Sequence, residues 1–384
     1  MECETVPKYS ILEKGLRHID KMVYPLTPKK SVINPRKILL VRYDGIGDMI
    51  SVLPAIEKLK RKFPKAKIDV VTREVTATLL KNNPYINKTI IFNNKWAIYE
   101  NNNNIFSKIS TFLKTIPHEF PNFLTIIIKG EYDLIIDFTK KRRNIIAGHL
   151  TRTPVWGFDI PGGSFLLNKR VKYNNKKHVI ENNKRLIEEY QIKSATTRQP
   201  NIYLTKEELK KGKEFIKKHT KVKSKKVGIH VGYGNKPSKG WPIKRFNNVM
   251  NTLAKEKNIT YFMFGAKQEK ELLKNITTKH VDCTNTSLRE MAAIIENIDL
   301  FVCNDSGPMH IAATTNTPII ALFGPTCEKQ WSPYTKKAKI IRKISGGYCY
   351  KHNLNDNYCM KLITEEEVIT NIKKSLKHEK NDIK

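Results

Sequence analysis

From residue 37 onward, short apolar runs alternate with amphipathic stretches. "KILLVR" reads as a buried strand, "MISVLPAIEKLKRKF" as a helix and "KIDVVT" as a second strand. "VTATLLKNN" predicts a helix and "KTIIF" a third strand. After an Asn-rich insertion over about 93–122, "YDLIIDF" predicts another strand, one that ends in an acid. A Lys-rich polar stretch at about 193–225 then reads as a boundary, and the alternation restarts. "KVGIHVG" is a strand running into a glycine-containing loop, "PIKRFNNVMNTLAKE" a helix and "ITYFMFG" a strand. "EKELLKNI" and "SLREMAAIIENI" follow as helices, then "DLFVCND" as a strand, "GPMHIAATTN" as a helix and "PIIALFG" as a strand. Continuous β-branched strands joined by helices predict parallel, doubly wound sheets. Two Rossmann-like halves in series predict a central cleft that a ligand can bridge.

The two ends read differently. "YSILEKGLRHIDKMV" puts Ile11, Leu12, Leu16, Ile19 and Val23 at helical spacing, with Lys14, Arg17, His18 and Lys21 between them. Such a helix usually packs on its own domain, and a basic interfacial helix on a membrane is the second reading. At the other end, "TEEEVITNIKKSLK" opens with Thr364 as an N-cap and Glu367 three residues later, the pattern of a closing helix. The expected organisation is a helical extension over 1–35, an N-terminal Rossmann-like domain over 36–195, a C-terminal one over 196–345, and a closing segment over 346–384.

Composition narrows the classes. Of 384 residues, 40% are hydrophobic and 28% charged, as in a soluble globular protein. No apolar run approaches the roughly 20 residues that span a bilayer. The N-terminus shows no basic region leading into an apolar one, so no secretory signal is expected. Six cysteines scattered along the chain argue against a disulfide scaffold. The chain reads as cytoplasmic. A net charge of +34 points to anionic partners: nucleic acid, phospholipid headgroups or phosphorylated substrates. The charge is spread rather than clustered, and solvated lysines account for it equally well. Peripheral contact with the anionic cytoplasmic face of an inner membrane is the expected consequence.

Three loops at predicted strand ends carry candidate chemistry. In "KILLVRYDGIGDMISVLPAI", Gly45 and Gly47 form a turn and Asp48 stands at the mouth of a helix. A dinucleotide fingerprint fails at Ile50, and the Gly-Lys-Ser/Thr of a phosphate-binding P-loop is absent. Asp48 therefore either does chemistry or caps its helix. In "IHVGYGNKPSKGWP", Gly232 and Gly234 let backbone N–H groups approach phosphate oxygens, and Lys239 adds a mobile cation. A flexible solvated loop is the alternative. In "FVCNDSGPMHIAATTNTPIIALFGPT", Asp305 suits hydroxyl groups, while Ser306 and Gly307 open a helix that carries His310. A core histidine is the plainer reading of His310. Cys349 and Cys359, with His352 between, lack the paired spacing of a zinc site. Glu131, Asp133 and Asp137 read as strand-end acids, not a two-metal site. No metal is expected.

Taken together, "ILLVRYDGIGDMISVLPAIEKLKRKFPKAKIDVVT", "YDLIIDF", "KGWPIKRF", "VCNDSGPMHIAATTNTPIIALFGPT", "WSPY" and "CMKLITEEEV" resemble glycosyltransferase family 9, the lipopolysaccharide heptosyltransferases and their relatives, over about residues 36–375. The resemblance implies a GT-B fold with an N-terminal acceptor domain and a C-terminal donor domain. It further implies inverting, metal-independent and cofactor-free transfer of a sugar from a nucleotide diphosphate, typically ADP-heptose, to a lipopolysaccharide or related glycolipid acceptor. By the same resemblance Asp48 is the general base, Lys239 contacts the donor phosphates, and Asp305, Ser306, Gly307 and His310 bind the donor. Glu269 is a looser match near the donor sugar. The insertion, the extension and the loop "GYGNKPS" depart from the family pattern.

Two other functions fit parts of the chain. A nucleotide-sugar epimerase has the same architecture and needs no lipid acceptor, but the Gly-Asp turn matches a transferase. An RNA-binding protein accords with the charge. Single-strand binding, however, uses aromatic residues on an open sheet face, and here they are dispersed. No nucleic-acid partner is expected.

Overall fold

A computed structural model describes residues 11–24, 32–92, 119–188, 199–220, 223–234, 236–256, 258–266, 269–343 and 357–378. The chain divides into two compact units. The N-terminal unit comprises Val6–Asn174 and Ile180–Thr197; the C-terminal unit comprises Arg198–Lys384 with Met1–Thr5 and Asn175–Val179.

The N-terminal unit is built on six parallel strands: β1 (Lys37–Val41), β2 (Lys67–Thr72), β3 (Lys88–Ile91), β4 (Leu134–Asp137), β5 (Val155–Phe158) and β6 (Lys169–Val171). Their spatial order is β3-β2-β1-β4-β5-β6. Leu40 of β1 sits opposite Val70 of β2 and Ile136 of β4, so apolar strand residues meet in register. Leu39, Val41, Ile135, Ile145 and Val155 belong to one buried cluster between the sheet and its helices. Strand order reverses between β1 and β4, and ligands of doubly wound sheets bind beyond the strand ends at such a reversal. The helix Ile46–Lys62 leaves the end of β1 at that point.

The C-terminal unit repeats the plan with β7 (Lys225–His230), β8 (Ile259–Phe264), β9 (Val281–Asp282), β10 (Leu300–Asn304), β11 (Ile319–Leu322) and β12 (Ala338–Ile341). The order is β12-β11-β10-β7-β8-β9, with the reversal between β7 and β10. Its core gathers Val227, Met263, Val302, Leu322, Met360 and Ile372 around Trp241, whose indole N–H donates to the Ile363 carbonyl at 3.0 Å. The closing helix Glu365–His378 starts as its sequence predicts: Thr364 Oγ1 accepts the Glu367 N–H at 3.3 Å.

The first helix, Ile11–Val23, packs on the N-terminal unit. Leu16 lies over Gly162, and the Asp20 carboxylate accepts the backbone N–H groups of Gly162, Gly163 and Phe165 at 2.6–3.2 Å. Three N–H donors converge on one buried carboxylate, which ties the helix to its own domain. No helix among the described residues is long and apolar enough to cross a membrane.

Several elements depart from expectation. The polar stretch read as a boundary contains a 14-residue helix, Lys206–His219. Its Thr205 and Glu208 form a capping box, and Gly212 allows its backbone to approach Ala293 of the helix Leu288–Ile295. Strands β5, β6, β9 and β12, of two to four residues each, were not read from the sequence. "VTATLLKNN" forms a single turn, Glu74–Ala77, and a 3₁₀ turn, while "EKELLKNI" keeps only Lys270–Leu273 as helix. Cys327 and Cys359 are disulfide-bonded, although the scattered cysteines gave no reason to expect it. Gly324, in the loop that leads to Cys327, abuts Met360, the residue after Cys359. Cys283 and Cys303 are free and buried. Cys349, His352 and most of the 93–122 insertion lie outside the described residues.

Candidate functional site

Each unit gathers polar groups at its own strand-order reversal. In the N-terminal unit, β1 ends in Val41, and the next residue, Arg42, turns a nearly buried guanidinium back across the loop. It donates to an oxygen of Asp48 and to the Phe138 carbonyl, and lies 3.5 Å from the Asp44 carboxylate. The second Asp48 oxygen accepts the Gly45 N–H at 3.1 Å. Asp48 therefore does cap its helix, and it also forms an ion pair that capping does not require. Gly45 is the N-cap residue, whereas Gly47 lies within the first turn of the helix.

Around this pair the electrostatics are unusual. Burial pushes the Asp44 carboxyl up to about 6, an effect Arg42 reduces and the neighbouring Asp48 charge increases. Lys140 is brought down to about 8, first by burial and then by Arg42, with Asp48 and Asp44 working the other way. Its ammonium lies 3.2 Å from the centroid of the Tyr173 ring, a cation–π contact, and its backbone has a left-handed φ of 60°. Asp137, at the end of β4, is buried, which raises its pKa. Its carboxylate accepts the Thr139 N–H and hydroxyl at 3.0 and 2.7 Å and the Asn144 amide at 3.1 Å. Arg143 and Asn144 both contact the Tyr43 hydroxyl.

In the C-terminal unit, Lys239 and Asp305 form a close ion pair at 2.7 Å, with Asp305 only 4% exposed. Lys239 is thus held by a carboxylate rather than left mobile. Asn304 ties the two loops together: its amide donates to the Val231 carbonyl at 2.8 Å and its oxygen accepts the Trp241 N–H at 3.2 Å. Glu269 accepts the Ala266 N–H at 2.8 Å. Burial opposes its charge, but His230 and the backbone N–H groups of Ala266 and Gly234 outweigh that and hold its carboxyl below the usual range. Glycine is required at 232, where a Cβ would fall 1.9 Å from Glu269 Oε1; Gly234 has a left-handed φ of 61°. His230, at the end of β7, contacts Glu269 through Nε2 at 3.3 Å and Ser306 through Nδ1 at 3.2 Å.

Lys239, Asp305, Ser306, Gly232, Gly234 and Glu269 thus converge on one network. Gly307 and His310 follow on the helix Gly307–Ala312, which is only six residues long, and His310 is buried there. Asp48 belongs to the other unit's cluster. Sequence reading missed Arg42, Lys140 and His230. Arg42 and His230 each occupy a polar position at the end of an apolar strand, which was the available signal. Among the described residues, no three His, Cys, Asp or Glu side chains are grouped to hold a metal. A separate surface cavity of about 970 Å³, lined in part by His219, Lys255, Tyr261 and His280, shares no residue with either cluster.

Comparison with known proteins gives the fold and the family. The chain is 20% identical to the structure of E. coli ADP-heptose lps heptosyltransferase II, with a TM-score of 0.70, covering 90% of this chain and 99% of that one. It is 21% identical to a glycosyl transferase family 9 structure from Veillonella parvula, also at 0.70, covering 90% and 98%. Its two parallel-sheet, Rossmann-like units make a GT-B-type α/β fold. Among curated proteins, it is 25% identical to lipopolysaccharide heptosyltransferase 3 of E. coli K12, over 86% of this chain and 95% of that protein. Lipooligosaccharide heptosyltransferase 2 of Haemophilus ducreyi is 26% identical, over 81% of this chain and 90% of that protein. The family model for glycosyltransferase family 9 (heptosyltransferase) matches residues 125–359, more than half of the chain. The chain belongs to this family of glycosyltransferases.

Proposed function

We propose that the protein transfers a heptose from ADP-heptose to a lipopolysaccharide core or related surface glycan, with inversion and without a metal. The observation that carries this reading is the similarity to curated heptosyltransferases over more than four fifths of the chain. Structural relatives described as E. coli heptosyltransferase WaaC with ADP and with ADP-2-deoxy-2-fluoro heptose support the choice of nucleotide. In this reading the acceptor belongs to residues 36–195 and the donor to residues 196–345. The basic surface favours a lipid-linked, anionic acceptor at the cytoplasmic membrane face.

Asp48 takes the proton of the acceptor hydroxyl as that oxygen attacks the anomeric carbon, and the carbon–oxygen bond to the diphosphate breaks. Arg42 aims the carboxylate and balances its charge. Asp305 holds Lys239 in place until the diphosphate arrives, and the ammonium then stabilises the negative charge growing on the leaving oxygen. Gly234 leaves room for a phosphate against the backbone while Gly232 makes room for the Glu269 carboxylate, Glu269 takes donor hydroxyls, and Ser306, Gly307 and His310 complete the donor segment.

The test is to incubate the protein with a panel of nucleotide sugars and heptose-deficient lipopolysaccharide, following transfer by mass spectrometry. Asp48→Asn keeps an oxygen for the Gly45 N–H, so it removes the base while sparing the cap. We expect one donor to give a mass increment. The variant should turn over roughly 10²- to 10⁴-fold more slowly, the usual contribution of a positioned base, with ADP binding retained. No transfer from any nucleotide sugar, together with no ADP binding, would remove the reading.

A further inference from the structure

We propose that His230 is a positioning residue that couples the two arms of the donor site, holding the Glu269 carboxylate with one ring nitrogen and the Ser306 hydroxyl with the other. The inference rests on the donor-site reading above and deepens it.

His230 ends β7, directly beside Cys303 of β10 and Phe264 of β8. Only 2% of it is exposed. Packing alone would be served by an apolar residue, as at Val227 and Ile229 of the same strand. Instead the ring bridges the loops that carry Glu269 and Ser306. Glu269 is fixed independently, by the Ala266 N–H and by the missing Cβ at Gly232. Its carboxyl is held below the usual range, so it accepts only, and the hydrogen of the bridge resides on Nε2. In the neutral ring Nδ1 is then bare and accepts the Ser306 hydroxyl. Among the described residues, that hydroxyl also reaches the Asn304 carbonyl, at 3.2 Å. The tautomer set at the Glu269 end therefore selects the direction of the Ser306 O–H. A ligand group that pulls on Glu269 changes what Ser306 presents, and the reverse holds equally.

A double-mutant cycle tests this on the full chain with ADP as the probe, read by calorimetry. Ser306→Ala and Glu269→Gln are made singly and together, in wild-type and His230→Leu backgrounds. Coupled sites deviate from independence. In the wild-type background the combined loss of ADP affinity should differ from the product of the single losses by at least about twofold. In His230→Leu the two losses should simply multiply. Near-isosteric His230→Gln, whose amide reaches the Nε2 position, should restore the Glu269 arm only. His230→Asn, which reaches the Nδ1 position, should restore the Ser306 arm only. Both guard against misfolding of the leucine variant. With the sugar donor, His230→Gln should raise donor KM more than it lowers kcat.

Multiplying losses in both backgrounds, or single variants without effect, would overturn the coupling. Lys239→Ala separates the two ideas. If it weakens ADP binding while the cycle shows no coupling, the role of His230 falls and the donor site stands. If it leaves ADP binding unchanged, the donor-site reading itself falls.

Discussion

Asp44→Asn should make the N-terminal unit more stable at neutral pH, and by an amount that depends on pH. Asp44 sits beside Arg42 and Asp48 with 26% of its side chain exposed. Its pKa rises from 3.8 to about 6, chiefly because burial penalises the charge. A raised folded-state pKa means that the native chain holds more protons than the unfolded chain between about pH 4 and 6. Stability therefore falls as pH rises through that window, and the full cost is present above it. At ~1.4 kcal/mol per pH unit, the difference comes to ~3 kcal/mol, and partial exposure lowers the expectation to about 1–3 kcal/mol. Asparagine mimics the neutral acid and avoids this cost. Thermal melting of wild type and variant from pH 4.5 to 8 measures it. Each kcal/mol corresponds to about 2–4 °C for a unit of this size. The variant's advantage should be small at the acid end, grow towards pH 6 and level off. An advantage independent of pH, or a variant less stable at pH 8, would refute the reasoning.

Two further outcomes follow from the C-terminal unit. Lys239→Met leaves the nearly buried Asp305 without its cation and should cost ~3 kcal/mol, the lower end for breaking a buried pair because Lys239 is partly exposed; adding Asp305→Asn should recover most of that loss in a melting experiment. Gly212→Ala gains about 1 kcal/mol of helix propensity, but its Cβ would fall 2.4 Å from the Ala293 carbonyl oxygen, so melting should show a net loss of about 1–2 kcal/mol; a gain would mean that the two helices separate easily.

Within single segments the sequence is informative because the relevant physics is local. Apolar runs such as "KILLV" and "LFVCN" become buried parallel strands because continuous branched residues suit a sheet covered on both faces. Thr364 and Glu367 announce a helix start because a cap is completed within one turn. The loops holding Asp48, Gly232 and Asp305 are legible for the same reason: each directly follows a readable strand. The capping box of Thr205 and Glu208 was equally legible but was masked by the surrounding lysines.

What joins these loops is decided only by the tertiary structure. Arg42 reaches Asp48 because β1 ends facing the helix that follows it. Lys239 meets Asp305, and His230 meets Ser306, because β7 and β10 lie side by side although many residues separate them in the chain, and His230 meets Glu269 because β8 flanks β7 on the other side. Strand order, unlike strand identity, is selected by the packing of the whole sheet, and no window of sequence contains it. The same holds for the altered acidity of Asp44 and Lys140, which is a property of their shared burial. Sequence alone located most of the longer strands and helices and many of the polar residues at their ends; the fold decided which of these meet one another.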